Sequence, residues 1–85
     1  MTYKEAVAFL GAQERNIRKV NNVRFIHDGY EYRLKYVGGF AAYVAVDRRK
    51  VGAHRFGYFG GVGAYNCWTV EDVMNLVMKE VEKGA

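Results

Sequence analysis

The side chains with the most evident chemical potential in this 85-residue sequence are cations concentrated in its middle. Residues 15–55 contain ten of the thirteen lysines and arginines against three acidic residues, which gives +7, whereas residues 1–14 and 56–85 are weakly acidic. Cationic side chains bind nucleic-acid phosphates and release their counterions, and a clustered basic surface is typical of such binders. The sequence therefore predicts binding to DNA or RNA by seven cations: Arg24, Arg33, Lys35, Arg48, Arg49, Lys50 and Arg55.

Residues suited to catalysis or to metal binding are few. The chain has no serine, and the spacing of its one cysteine, Cys67, from His27 or His54 does not indicate a nucleophile with a paired base. One cysteine and two histidines are also too few for a four-ligand zinc site without carboxylates or a second chain. We therefore expect a protein that is not an enzyme and that has no metal or other cofactor.

Aromatic residues are numerous, and Tyr58, Phe59 and Tyr65 lie within or shortly after the one glycine-rich segment, residues 57–63. That segment lacks the Lys-Ser/Thr pair of a phosphate-binding P-loop and does not run directly into a helix, so we interpret it as a flexible loop. Exposed tyrosine provides a large contact area at low entropic cost. The sequence therefore predicts a partner-binding loop with three contact residues: Tyr58, Phe59 and Tyr65.

A second hypothesis gives these aromatic residues the main role. A short single-domain chain of this kind suits a phage or mobile-element protein that inhibits or adapts a larger host protein by docking on it. The basic residues would then meet an acidic or nucleic-acid-binding surface of that nucleic-acid-processing or defence protein. Both hypotheses are compatible with a homodimer formed through an unpaired sheet edge or an apolar helix stripe.

Two helices are predicted from their capping residues and apolar spacing. Thr2 followed by Glu5 has the spacing of a capping box, and the apolar face that follows ends at Gly11. Thr69 followed by Asp72 has an equivalent spacing near the other end of the chain. The apolar residues after it recur as on one side of an amphipathic helix: Val70, Val73, Met74, Val77, Met78 and Val81.

Between the helices the sequence alternates with a period of two and is rich in β-branched and aromatic residues. It predicts three strands: Val23–His27, Tyr30–Val37 and Phe40–Asp47. Two-residue hairpin turns are expected at Asp28-Gly29 and Gly38-Gly39, and a connecting turn at Arg48-Arg49-Lys50. A fourth strand around Val51–Phe59 is left open, and residues 11–22 fit either a short strand or a continued helix. The predicted fold is a single α+β domain over residues 1–85, in the order α-β-β-β-(β)-α, with an antiparallel meander and the C-terminal helix packed on one face.

The predicted turns decide which side chains share a face of the sheet. The face expected to pack against the last helix carries Val23, Phe25, Tyr30, Tyr32, Leu34, Tyr36, Ala41, Tyr43 and Ala45. The opposite face carries Arg24, Ile26, Glu31, Arg33, Lys35, Val37, Phe40, Ala42, Val44 and Val46. Because this second face mixes cations with aliphatic residues, full burial would be too costly. We therefore expect it to be at least partly open, with its cations and the 48–50 turn contacting phosphates.

The element order α-β-β-β-α resembles that of double-stranded-RNA-binding domains, and three strands followed by a helix resemble the AP2-type and integrase arm-binding DNA-binding domains. The resemblance is one of element order. The last helix begins Val70-Glu71-Asp72, without the lysine cluster that opens this helix in the RNA-binding family, so no functional residue is transferred.

The composition indicates a folded chain in a reducing compartment. With 51% hydrophobic and 26% charged residues it is typical of a globular domain, and a single cysteine excludes an internal disulfide. No apolar run approaches the roughly 20 residues of a membrane span, and the N-terminus lacks the apolar segment of a signal peptide. We therefore expect a cytoplasmic protein that makes no contact with a membrane.

Overall fold

A four-stranded antiparallel sheet forms the middle of the chain, with an α-helix before it and another after it. The computed structural model describes residues 1–84. Its elements are α1 (Tyr3–Leu10), a short 3-10 helix (Ile17–Val20), β1 (Arg24–His27), β2 (Tyr30–Val37), β3 (Tyr43–Lys50), β4 (Gly57–Gly63) and α2 (Val70–Lys83). The strands lie in sequence order, β1-β2-β3-β4, and each pairs antiparallel with the next. The predicted α+β fold with a meander sheet is confirmed, and the fourth strand is present.

The apolar stripe of α2 covers one face of the sheet, as the sequence predicts. Five α2 residues are buried: Val70, Val73, Met74, Val77 and Val81. They meet Phe25, Tyr32 and Leu34 from β1 and β2, all of which are buried. The rings of Phe25 and Tyr32 stack with their centroids 5.4 Å apart. Because the apolar side chains of the sheet and both helices converge here, this side of the sheet contains the hydrophobic core.

Both α-helices begin with the predicted capping boxes. The side chains of Thr2 and Thr69 each accept a hydrogen bond from the backbone N–H three residues later, and the carboxylates of Glu5 and Asp72 accept from the cap residues in return. These contacts satisfy backbone donors that a helix N-terminus otherwise leaves unpaired. Gly11, with a φ of 86°, ends α1, so this helix does not continue.

The segment after α1 packs against the start of α2. The N–H of Val70 donates to the carbonyl of Glu14 at 2.7 Å, and the N–H of Glu71 donates to the carbonyl of Ala12 at 3.1 Å. The chain then forms the 3-10 helix, whose first turn is capped by the side chain of Asn16. Residues 11–22 are therefore neither a strand nor an extension of α1.

The predicted register of β2 against β3 is wrong by three residues. Leu34 lies opposite Val46, not Tyr43, because the connection is a five-residue loop over residues 38–42 and not a two-residue turn at Gly38-Gly39. An odd shift exchanges the two faces of a strand. Val44 and Val46, which were expected on the open face, are fully buried in the core.

The same shift changes the ends of β3. The strand runs over Tyr43–Lys50 and not over Phe40–Asp47, so Arg48-Arg49-Lys50 belongs to the strand and the predicted 48–50 turn is wrong. Ala41 lies in the loop, and Tyr43 and Ala45 lie on the face away from the helices. Two β-branched valines bury more apolar area than the alanines of the predicted register, which favours the observed pairing.

The glycine-rich segment Gly57–Gly63 is strand β4 at the edge of the sheet, so its interpretation as a flexible loop is wrong. It lies later in the chain than the fourth strand suggested around Val51–Phe59. Its pairing with β3 changes register between Val46 and Asp47, where a bulge leaves Phe59 without a partner on β3. The bulge turns the Phe59 side chain toward the core, where its ring meets that of Tyr32 with centroids 5.6 Å apart.

Candidate nucleic-acid interface on the open sheet face

The sheet face opposite the helices, called the open face below, carries most of the candidate cations. The register of β1, β2 and β3 places alternate residues on it: Arg24, Ile26, Glu31, Arg33, Lys35, Val37, Tyr43, Ala45, Asp47 and Arg49. Four cations thus lie on one surface with two carboxylates, a net charge of +2. Three of those cations, Arg24, Arg33 and Lys35, were predicted to lie together, and the register shift adds Arg49.

Ion pairs across β2 and β3 hold part of this charge in place. The Nη2 atom of Arg33 lies 3.0 Å from Oδ2 of Asp47, and Nζ of Lys35 lies 3.8 Å from the same oxygen. On the neighbouring rungs of the sheet, Nε and Nη2 of Arg49 lie 2.7 Å from Oε1 of Glu31. Since these pairs are partly shielded from water, they fix the guanidinium groups more firmly than exposed pairs would.

An aromatic ring, that of Phe56, lies among the arginines of this network. The guanidinium carbons of Arg24, Arg33 and Arg49 lie 5.1, 4.4 and 4.3 Å from the ring centroid. These distances are within the range of cation–π attraction. Phe56 precedes β4, at the end of the loop that returns from β3, so this loop covers part of the open face. Nothing in the local sequence distinguishes Phe56 from a core aromatic residue, so Phe56 is not among the predicted site residues.

Two cations of the open face remain available to a ligand. Arg24 is exposed, and among residues 1–84 it has no carboxylate partner within ion-pair distance. The side chain of Lys35 is 51% exposed and touches Asp47 only at the outer limit of an ion pair. In contrast, the side chains of Arg33 and Arg49 are about three-quarters covered. Direct contacts with an incoming anion therefore fall to Arg24 and Lys35.

The remaining predicted cations do not belong to the strand positions that form this face. The guanidinium carbon of Arg48 is held on the helix side, 4.4 Å from the ring centroid of Tyr30 and 4.6 Å from that of Phe59. Lys50, the last residue of β3, is exposed, as is Arg55 in the following loop. The seven predicted residues are thus divided between two faces of the sheet and a loop.

The predicted partner-binding aromatic residues are also divided. Tyr58 and Tyr65 are 72% and 74% exposed, whereas Phe59 is half-buried against the core. A methyl group added at Gly61 would lie 3.1 Å from the Tyr58 hydroxyl, and one at Gly63 would lie 2.7 Å from the Tyr65 ring. The glycines of β4 therefore allow both tyrosines to lie close against the edge of the sheet. Tyr43, beside them on β3, is 40% exposed.

The histidines and the cysteine do not form a reactive cluster. Burial, together with the negative charge of Asp72, raises the pKa of the Cys67 thiol, and a protonated thiol is a poor nucleophile. His54 is exposed and His27 is half-buried. Within the described residues 1–84, no group of three or more His, Cys, Asp or Glu side chains is placed to hold a metal ion.

No family model, no curated protein and no solved structure matches this chain. Among residues 1–84, neither helix has the length and apolar character needed to cross a lipid bilayer.

Proposed function

We propose that the protein binds nucleic acid on its open sheet face. The observation that supports this most directly is a sheet face on which residues 1–84 place no helix and where four cations outnumber two carboxylates. Exposed Arg24 and Lys35 would contact phosphates, while Arg33 and Arg49, each paired with a carboxylate, would keep the surface around them rigid. Phosphate contacts of this kind position a protein on nucleic acid without reading its sequence.

The tyrosines at the β4 side of the same face are consistent with this proposal. Tyr43 and Tyr58 offer ring surfaces beside the cations, and bases of a single strand stack on such rings without sequence preference. A four-stranded sheet face with cations and exposed aromatic residues suits a single strand better than a duplex, whose bases are already stacked. The proposed ligand is therefore a single-stranded segment of DNA or RNA.

The proposed location is the cytoplasm. A single, half-buried cysteine, Cys67, fits a protein of this reducing compartment.

A second candidate function is docking on a larger protein as an inhibitor or adaptor. It is favoured by aromatic side chains exposed away from the cations, namely Phe40 in the β2–β3 loop and Trp68 before α2, the latter 79% exposed. Large exposed aromatic residues are enriched at the centres of protein interfaces. In this case the open face would meet an acidic or nucleic-acid-binding surface of the partner.

Fluorescence anisotropy with labelled single-stranded DNA, single-stranded RNA and duplex DNA tests the first proposal. The two phosphate contacts of Arg24 and Lys35 with a single strand correspond to a log–log salt slope of about −1.4, or about a sevenfold loss of affinity between roughly 50 and 200 mM salt. The double variant Arg24→Glu with Lys35→Glu should abolish this salt dependence, because it removes both contacts.

The matched control is Lys4→Glu with Arg15→Glu, which changes the net charge by the same amount. Both control residues are exposed, and they lie on α1 and on the segment that contacts α2, away from the open face. Binding should persist in the control and be lost in the open-face variant. Equal losses in both variants, or no binding to any of the three probes, would refute the proposal and leave protein docking as the candidate.

A further inference from the structure

We propose that the free edge of β4 pairs antiparallel with β4 of a second copy of this chain. This inference does not rest on nucleic-acid binding, because it concerns the edge of the sheet and the helix beside it. It joins two four-stranded sheets into one continuous sheet of two subunits.

The two edges of the sheet differ in how they are protected. At β1, the N–H of Ile26 donates to the carbonyl of Met1 at 2.7 Å, and Thr2 forms a parallel bridge with Ile26. At β4, the described residues 1–84 place no further strand beside the edge. Natural edge strands are usually protected from association by charged residues, proline or a β-bulge. The β4 sequence Gly-Tyr-Phe-Gly-Gly-Val-Gly contains no charged residue and no proline, and its bulge lies at Phe59, before Gly61 and Gly63.

In the second half of β4, the backbone groups that point outward belong to glycines. The N–H of Ala64 donates to the carbonyl of Ala42 at 3.0 Å, which makes this a hydrogen-bonded pair. In an antiparallel ladder such pairs alternate with non-bonded ones, so Val62 bonds toward β3, whereas Gly61 and Gly63 direct their N–H and C=O groups to the free edge. The Tyr58 hydroxyl and the Tyr65 ring lie where a Cβ of these glycines would point, out of the plane of the sheet, so the outward backbone groups can still pair with a second strand.

The surface beside this edge carries both signs of charge. A groove of about 460 Å³ lies between β4 and α2, and its helix wall includes Leu76, Lys79, Glu80 and Lys83. Along this wall α2 runs antiparallel to β4, since the Glu80 carboxylate lies beside Gly60 and Gly84 lies beside Phe59.

A two-fold axis that pairs β4 with its copy therefore also brings the two α2 helices side by side in antiparallel orientation. Each α2 brings Lys79, Glu80 and Lys83 to this seam, with Glu80 3.8 Å from Lys83 of its own helix, and every contact occurs twice, as in isologous dimers. Because the wall of each copy mixes both signs of charge, the two copies do not meet as surfaces of one sign.

Sedimentation equilibrium combined with amide hydrogen exchange on the full chain tests the proposal. Between about 1 and 500 µM protein the mass should rise from monomer toward dimer. Over the same range, the amide protons of Gly61 and Gly63 should become at least tenfold more protected, whereas the amide of Gly39 in the β2–β3 loop should not change. A monomer at every concentration would overturn the proposal, as would a dimer in which the two β4 amides exchange as in the monomer.

The variant Gly61→Pro removes one outward donor. Proline is tolerated where a strand's N–H faces away from its neighbour, and the exposed Tyr58 ring can move to admit the proline ring. Dimerisation should weaken at least tenfold, whereas the loop control Gly38→Pro should dimerise like the unmodified chain. Equal dimer affinities for the two variants would contradict the pairing. If Gly61→Pro does not fold, the exchange measurement on the unmodified chain still decides the question.

Discussion

Replacing Asp47 with asparagine should destabilise the protein more than any change at an exposed ion pair. The side chains of Asp47 and Arg33 are only 12% and 25% exposed, and the carboxylate accepts a hydrogen bond from Arg33 at 3.0 Å. A hydrogen bond to a charged group contributes about 1.5–3 kcal/mol. Because this pair retains some contact with water, its loss should cost less than the 3–5 kcal/mol typical of a fully buried pair that loses one partner.

We therefore expect Asp47→Asn to lower the free energy of unfolding by about 2 kcal/mol. For a domain of this size, that loss corresponds to a decrease in Tm of about 8–16 °C. The Nε atom of Arg33 is buried and has no hydrogen-bond partner within residues 1–84, so the guanidinium depends on Asp47 and on the Phe56 ring for its stabilisation.

Urea unfolding of Asp47→Asn, Arg33→Met and the double variant measures the interaction energy of this pair separately from the other contacts of each residue. The double-mutant cycle should give a coupling free energy of about 1.5 kcal/mol. The control cycle is the exposed pair Glu14–Lys19, which has a similar separation of 3.2 Å and should give about 0.5 kcal/mol or less. A coupling at Arg33–Asp47 no larger than that of the control would refute the view that burial strengthens this pair.

Two further predictions concern α2. The variant Gly84→Ala should lower the free energy of unfolding by about 1 kcal/mol, despite the higher helix propensity of alanine, because the added methyl group would collide with the Phe59 ring. Urea unfolding of this variant and of the control Lys83→Ala measures the change in stability, and a gain in stability for Gly84→Ala would contradict the prediction. Hydrogen bonds from the backbones of Trp68 and Thr69 lower the pKa of Asp72 below its ordinary value of 3.8. A carboxylate whose pKa is lowered in the folded state stabilises the protein at higher pH, and this stabilisation is lost as the pH falls through that pKa. Below about pH 4, the free energy of unfolding should therefore decrease less steeply with acid in Asp72→Asn than in the unmodified chain. Superimposable plots of unfolding free energy against pH would exclude this role.

The elements specified by local interactions were predictable from the sequence. Both capping boxes and the α2 stripe involve residues within a few positions of one another, and the structure has them as expected. The Asp28-Gly29 turn also agrees, with φ angles of 54° and 82°, which fit the hairpin turn that requires positive φ at both central residues. The register of β1 against β2 follows from it.

The second hairpin could not be predicted from its turn residues alone. The dipeptide Gly38-Gly39 resembles the first turn, but only Gly39 has a positive φ, at 113°. The register there depends on which side chains of β3 enter the core, and burial of Val44 and Val46 decides it. That preference arises from contacts with α2, which a local turn rule does not contain. The placement of Arg48 away from Arg33 and Lys35 follows from the same register.

Strand β4 and the Phe56 cluster were hidden for a different reason. Glycine carries no side chain whose pattern can indicate a strand, so the sequence of Gly57–Gly63 resembles that of a loop. In the fold, Tyr58 and Tyr65 lie over the glycines of this segment. The position of Phe56 depends on three arginines from three strands. Such a cluster is assembled by the tertiary fold and has no signature in any short segment of sequence.

The hydrogen bonds from Val70 and Glu71 to the carbonyls of Glu14 and Ala12 have a consequence for the order of folding. The first turn of α2 is completed by residues from the opposite end of the chain, so its stabilisation requires closure of a loop that contains the whole sheet. Contacts so distant in sequence slow folding, because the chain loses loop entropy before they form. We therefore expect the hairpin of β1 and β2 to form early and the docking of α2 onto the segment after α1 to be among the last steps.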